Sequence, residues 1–434
     1  MINSYRINFS FLILFFGTFP FLRLFPIESR VQPIVVIISI LLFLFRKQNL
    51  KIYFIENRIL IILIIFLTIY GALCLGSFGF KNVIIEYIGL ISGPILFICI
   101  TSIQSLKVIN FYAFKLSVII LCLFGILEIS PLKTKVFPIL NHIIPLNEPT
   151  IPSSLFGLRG LSYAAPEQSN AAFIIFLLLC LFQIFKFLKY KLSKSWEIIL
   201  IILAIFNKSG TMFLFLSIYF YFFYVLNNKK LRKNVIIFSL SFLFFILIWF
   251  RVSLLTDFQN NRMLQVADRF TELVYSGGIY SSENWFLISG PRFAEVATGY
   301  KSIIHNIFGF GVGSVENGFS DIISTVKIDF GGYWNKKLID GFFDNSKPNS
   351  YLSYLSCSSG VLGLILILAF KVYLYKRIRR INEIDHYKLC NSIFWISTFI
   401  IAFRSTATIP IAWILLALIF KINKNINESS TPIS

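Results

Sequence analysis

No cysteine falls in a polar stretch of this chain. The six, Cys74, Cys99, Cys122, Cys180, Cys357 and Cys390, all lie within or beside apolar runs. That pattern indicates neither a disulfide framework nor a cysteine metal site. Charge is scarce too: 14% of the 434 residues are charged and three are histidine. No Asp-x-Asp occurs in the long polar loops, and no group of histidines and carboxylates has metal-ligand spacing. A nucleotide-sugar enzyme working through a divalent ion is therefore disfavoured, and no Ser/His/Asp signature is present. The run Gly309-Phe-Gly-Val-Gly313 lacks a following Lys-Ser/Thr and a preceding strand, which rejects a nucleotide-phosphate loop. The dyad alternation of a β-barrel is missing, as are internal repeats, heptads and low-complexity tracts.

What is present is apolar sequence. The chain is 57% hydrophobic, with a mean hydropathy of +0.78. Its apolar runs repeatedly reach the roughly 20 residues that cross a bilayer. Helices satisfy their own backbone polar groups in lipid. The expected fold is therefore an all-α polytopic integral membrane protein, with residues 1–434 as a single membrane domain. Candidate spans are 9–25, 31–45, 59–79, 84–104, 108–129, 171–188, 196–207, 211–227, 235–255, 351–375, 389–404 and 408–422, about twelve in all. The first run follows Arg6 and resembles a signal sequence. It has no small-residue cleavage site, so it reads as a retained helix.

The formal net charge is +20. Nucleic-acid binding is disfavoured, because the charge sits in short clusters between apolar runs. The clusters are Arg46, Lys47 and Lys51; Lys189, Lys191 and Lys194; Lys229, Lys230, Arg232 and Lys233; and Lys376, Arg377, Arg379 and Arg380. About twelve spans place all of them, and both termini, on one side, which the positive-inside rule makes cytoplasmic. The other side receives two long connections, 130–170 and 256–350. The second has eight basic and ten acidic residues and is too long to be an idle link. Helix-like patches run from Asn261 to Ala297, and Gly309–Gly313 reads as a flexible break. Ser195–Leu226 must hold two crossings in little chain. The turn Asn207-Lys208-Ser209-Gly210 is thus expected below the outer surface, where a lysine must reach water or an anion.

Several residues on the outer face invite chemistry. Arg159 stands in Gly157-Leu-Arg-Gly160, where glycines let backbone approach a ligand, and Glu167 follows at the next span. A guanidinium is permanently charged and forked, which suits phosphate oxygens; an interfacial arginine also snorkels to lipid headgroups. Arg292 and Glu295 lie in Ser289-Gly-Pro-Arg-Phe-Ala-Glu295, with His305 beyond. Asn349 and Tyr351 introduce a span whose first turns are small and polar. Such residues face other helices or a cavity. Arg404 joins two closely spaced helices. Together with Lys208, these cations form an array suited to an anionic headgroup carried on a lipid.

At these residues the chain resembles the O-antigen polymerase and ligase superfamily of bacterial envelope polysaccharide synthesis. Arg159-Gly-Leu-Ser-Tyr-Ala-Ala-Pro-Glu167 is similar to its Arg/Gly element followed by Glu-Pro at a helix entrance. Asn207-Lys-Ser-Gly-Thr211 is similar to its Ser-Arg/Lys-small turn between short spans. Gly309-Phe-Gly-Val-Gly313, Asn349-Ser-Tyr-Leu and Gly360-Val-Leu-Gly363 resemble its closing Gly-x-Gly, His-Asn-x-x-Leu and Gly-x-x-Gly pattern. The span order and the two large outer loops also match. Pro348 stands where ligases usually have histidine, which favours the polymerase branch over the ligase.

The resemblance implies a multi-pass protein of the bacterial inner membrane with two sizeable periplasmic loops. It implies a glycosyltransferase that moves a growing glycan from undecaprenyl pyrophosphate onto a new lipid-linked repeat unit. The reaction needs no metal or other cofactor. Its implied partners are the undecaprenyl-pyrophosphate-linked oligosaccharide, membrane lipid and a chain-length regulator, with no nucleic acid. Arg159 and Arg292 would stabilise the leaving diphosphate, assisted by Lys208 or Arg404. Glu167 is the first candidate base, with Glu295 and His305 behind it. Asn349 and Tyr351 would contact substrate, and the glycine-containing loop would act as a lid. A ligase and a non-enzymatic flippase or transporter are the alternatives.

Overall fold

The computed structural model describes residues 11–22, 34–44, 50–102, 110–132, 135–136, 161–163, 165, 168–207, 209–226, 291–326, 347–348, 350–404 and 409–430. Within them all regular structure is helical and no strand occurs. The elements are α1 (11–18), α2 (Ile34–Leu44), α3 (Leu50–Ser102), α4 (Phe111–Ile129), α5 (Gln168–Phe187), α6 (Ser195–Asn207) and α7 (Gly210–Phe220). They continue with α8 (Pro291–His305), α9 (Ser314–Val326), α10 (Tyr351–Ile378), α11 (Ile384–Phe399) and α12 (Ile411–Ser430). Two π-helical turns, Tyr221–Val225 and Ile400–Arg404, extend α7 and α11. Among the described residues, four helices are long and apolar enough to cross a membrane: Glu56–Ser102, Phe111–Ile129, Gln168–Phe187 and Tyr351–Ile378.

The surface fits a lipid surround. Leu116, Ile119, Leu123 and Ile126 on α4, and Leu362, Ile365, Leu368 and Val372 on α10, are exposed apolar stripes at helical spacing. A soluble helix turns such a stripe inward. The expected span 235–255 and most of the two long connections lie outside the described residues.

The chain forms two compact units. The first comprises residues 1–34, 107–272 and 382–396. Its central helix is α5, apolar on all sides and buried from Ala171 to Phe182. That is the pattern of a helix surrounded by others. Phe215 of α7 packs between Phe173 and Phe176 at ring distances of 5.0 and 4.5 Å. Asn110 starts α4 by accepting from the Tyr112 and Ala113 amides, at 2.9 and 3.1 Å. Ser209 starts α7 by accepting from Met212 N at 3.0 Å. These caps satisfy amides that a helix start leaves unpaired. α6 and α7 form the short pair expected over Ser195–Leu226.

The second unit comprises residues 35–106, 273–381 and 397–434. Two of its helices are broken at glycines. In α3 the break is Gly79 (φ 76°, ψ 156°). Thr68 Oγ1 and Tyr87 OH share a 2.7 Å hydrogen bond. On a straight helix these residues would stand roughly 28 Å apart, so α3 doubles back at Gly79. Its two arms, on either side of Gly79, fall where the spans 59–79 and 84–104 are expected. In α10 the break is Gly360 (φ 61°, ψ −146°). Trp413 of α12 contacts both Tyr351 and Phe370, at ring distances of 5.2 and 6.3 Å. They too are 19 positions apart, so α10 is folded sharply. Its first arm, residues 351–359, is roughly 13 Å long and too short to span. Trp413 is fully buried. Gly93 makes room for it: a Cβ there would fall 2.1 Å from the indole nitrogen.

Candidate functional site

In the second unit the break in α10 is filled by protein backbone. Residues 307–311 lie along it. Phe310 N donates to Cys357 O at 2.7 Å, Gly311 N to Ser358 O at 3.1 Å, and Val361 N to Ile307 O at 2.8 Å. Broken helices at membrane depth survive only where their freed groups find partners in this way. Gly309, Gly311 and Gly313 all have positive φ. A side chain at Gly309 would strike Gly360 N at 2.5 Å, and one at Gly311 the Phe78 ring at 2.8 Å. Gly309–Gly313, expected as a flexible break, is therefore a fitted insert, because every glycine in it faces packed atoms. Two patches of the motif pattern, Gly309–Gly313 and Gly360, meet here.

Beside this insert lies a carboxylate network. Glu86, on the second arm of α3, is fully buried. Its Oε2 accepts from Val315 N and Glu316 N at 3.0 and 3.3 Å. It thereby holds the start of α9, where a carboxylate complements the positive helix end. The Ser358 hydroxyl lies beside the same carboxyl and donates to Tyr354 O at 2.9 Å. Glu316 accepts from Lys347 Nζ at 2.6 Å and from Tyr354 OH at 3.1 Å. The side chain of Lys347 is half exposed, so the network runs from the buried α3 arm to the surface.

The short arm of α10 is also packed against α8. Ser353 Oγ donates to Val296 O at 3.0 Å and Ser356 Oγ to Gly299 O at 2.5 Å. Ser350 accepts from Ser353 N at 3.2 Å, capping the arm. Its hydroxyl also donates to Ala402 O at 2.5 Å, as does Tyr300 OH. Ala402 belongs to the π-helical turn, whose looser ladder exposes carbonyls to such donors.

These contacts place several of the sequence-chosen residues. Arg292 lies in the first turn of α8, and Arg404 ends the π-helical turn bound by Ser350 and Tyr300. Glu295 is buried on α8. Tyr351 is fully buried and donates to Leu90 O at 2.8 Å, a packing role in the helix core. The elements that carry these four thus meet around one short helix. His305 is exposed at the far end of α8, roughly 15 Å along the axis from Glu295. Asn349 lies outside the described residues.

In the first unit Arg159, Glu167 and Lys208 lie outside the described residues, but their sequence neighbours are tightly held. Glu128 of α4 accepts from Ser162 N at 2.9 Å, from the Ser162 hydroxyl, and from Tyr163 N at 3.2 Å. Leu161 N donates to Phe206 O at 3.0 Å. Asn207 Nδ2 donates to Leu161 O at 2.9 Å and to Gln168 O at 3.0 Å. The described residues next in sequence after Arg159 and before Lys208 are therefore bonded to each other. Another buried carboxylate, Glu197, accepts from Gln183 Nε2 at 3.1 Å, Tyr219 OH at 2.6 Å and the Tyr224 hydroxyl.

Glu86 and Glu128 escaped the sequence reading because each sits inside an apolar run. A lone carboxylate in such a run is costly unless it is bonded, and that was the available signal. Among the described residues no group of His, Cys, Asp and Glu is arranged to hold a metal ion. The chain matches no family model and no curated protein.

Proposed function

We propose that the protein is a surface-polysaccharide polymerase of the O-antigen type. It transfers a growing glycan from undecaprenyl pyrophosphate to a sugar hydroxyl of a new lipid-linked repeat unit. The setting is the periplasmic face of a bacterial inner membrane, with about twelve spans and both termini cytoplasmic. The supporting observation is the convergence on the short arm of α10. The Gly309–Gly313 insert, the helix that carries Arg292 in its first turn and the turn that ends with Arg404 all bind to it.

The chemistry asks for cations. In this transfer the acceptor oxygen bonds to the anomeric carbon as its proton passes to a base. The bond to the diphosphate oxygen breaks, and the electron pair leaves with the diphosphate. Charge therefore grows on phosphate oxygens, and preplaced cations stabilise it best where water is excluded. Arg159 and Arg292 take that role, with Lys208 or Arg404 assisting. The acceptor proton goes to Glu167 as the first candidate base, with Glu295 and His305 behind it. Tyr351 supports the site by packing.

A second reading is favoured by one observation. Glu86 and Lys371 are buried in helices of membrane-spanning length, and α10 is discontinuous. Transporters place binding sites at such helices, so a lipid-glycan flippase or transporter is the alternative. Deleting the gene separates the readings. Loss of the polymerase leaves lipid A capped with a single repeat, and loss of a ligase leaves it bare. Loss of a flippase traps the lipid-linked repeat on the cytoplasmic face.

A further inference from the structure

Ile304, Ile307 and Phe308, three large apolar side chains at the end of α8 and the start of the insert, are 79%, 63% and 66% exposed. An exposed apolar cluster of this kind marks a contact with protein or membrane. Its backbone is anchored to two lipid-facing helices. Phe308 O accepts from Tyr70 OH at 3.0 Å, and Ile307 O from Val361 N at 2.8 Å. Tyr70 stands beside the exposed stripe Ile62, Ile65, Ile69 and Leu73 on the first arm of α3. Val361 heads the exposed stripe on α10 that begins with Leu362 and Ile365. The cluster therefore joins two lipid-facing stripes into one apolar surface.

The depth of the cluster follows from the far ends of the same helices. Arg377 Nη2 and Glu56 Oε1 lie 3.8 Å apart, so α3 and α10 are level there. Charges are costly in hydrocarbon, which puts this pair at one edge of it. From that edge Tyr70 lies roughly 21 Å along α3 and Val361 roughly 24 Å along α10. The hydrocarbon core is roughly 30 Å thick, so both anchors fall inside it. Backbone at that depth needs partners for its polar groups, which a loop in water does not. Here Asn306 N donates to Ser302 O at 2.8 Å, Gly309 N to Asn306 O at 3.0 Å and Phe308 N to Asn306 Oδ1 at 3.2 Å. His305, exposed in the same turn, is close enough to the nearer edge for its ring to snorkel.

We propose that residues 304–308 are a re-entrant wedge, with Ile304, Ile307 and Phe308 seated among the acyl chains of membrane lipid in the leaflet farther from the Glu56–Arg377 pair. Membrane lipid is the occupant because the cluster continues two stripes that already face it. The connection 256–350 thus returns to the bilayer at this point. The wedge is independent of the polymerase reading: a ligase or a transporter built on these helices would carry it too.

The test uses the full-length protein in vesicles of phosphatidylethanolamine and phosphatidylglycerol. Nitroxide labels are placed singly at Ile304→Cys, Ile307→Cys and Phe308→Cys. Leu368→Cys on the α10 stripe is the lipid control, and Asp385→Cys, whose native side chain is 82% exposed, is the water control. Five of the six native cysteines are buried, and replacing the half-buried Cys122 by serine keeps labelling specific. Collision rates are measured with oxygen, which dissolves in lipid, and with a polar nickel chelate, which stays in water. The oxygen-to-nickel ratio at positions 307 and 308 should match that at position 368 and exceed that at position 385 at least about tenfold. Ile304→Cys should agree, and it decides the matter if either of the other variants fails to fold. A ratio like that at position 385 means a loop in water and overturns the proposal. Low collision rates with both reagents overturn it too, and show that protein, such as a second copy of the chain, covers the cluster.

Discussion

Gly309 and Gly360 meet backbone to backbone. A Cβ added to Gly309 would stand 2.5 Å from Gly360 N, and one added to Gly360 would stand 2.1 Å from Ile307 O. Both have positive φ. Alanine at either position must move main chain and enter a strained conformation. Each substitution should cost about 2–4 kcal/mol, measured by thermal unfolding in detergent. Gly76 lies in α3 with open space around its Cβ position. Gly76→Ala should be neutral or stabilising by up to about 1 kcal/mol. Equal effects at all three positions would contradict the fitted insert.

Glu86 holds two amides at the start of α9. Glu86→Ala leaves both without that acceptor and should destabilise the protein by about 2–4 kcal/mol. Glu86→Gln keeps an acceptor oxygen and should cost less than half as much. The checks are unfolding midpoint and protease sensitivity within Ser314–Val326. A glutamine variant as damaged as the alanine variant would show that the negative charge, rather than the hydrogen bonds, is what α9 needs.

His386, ahead of the apolar part of α11, is buried and stacked on Phe187 at 5.4 Å. Burial lowers its pKa from the ordinary histidine value, while Glu383 pulls weakly the other way. The unfolded chain therefore binds this proton more readily than the native one. Stability should fall as pH drops through about 6.5, and the loss should level off below the native pKa. His386→Phe should flatten that limb between pH 7.5 and 5, read as the change in unfolding midpoint. A limb of unchanged slope would assign the acid sensitivity elsewhere.

How much of this the sequence displays depends on the range of the interaction. The two arms of α3 are legible because each is a local apolar run, and Gly79 falls at their junction. The short pair over Ser195–Leu226 is likewise visible from length alone. The break at Gly360 is not, because a glycine in a run of small residues breaks a helix only if something fills the gap. Here the filler is residues 307–311, some 50 positions away in sequence. Separation in sequence also hides Glu86, 229 positions from Val315, and Glu128, 34 positions from Ser162. Each looks like an isolated charge in an apolar run until Val315 or Ser162 arrives. Tyr351 carries a substrate-binding signal by its place in a motif, yet its hydroxyl is spent on Leu90 O within the helix core.

The role proposed for Arg159 and Arg292 is to stabilise a lipid-borne diphosphate. The direct measurement is the length distribution of surface glycan in cells carrying Arg159→Ala or Arg292→Ala at normal protein levels. Extension should slow by about 10²–10³-fold, so that long chains vanish while single-repeat product persists. Wild-type chain lengths in both variants would contradict the account.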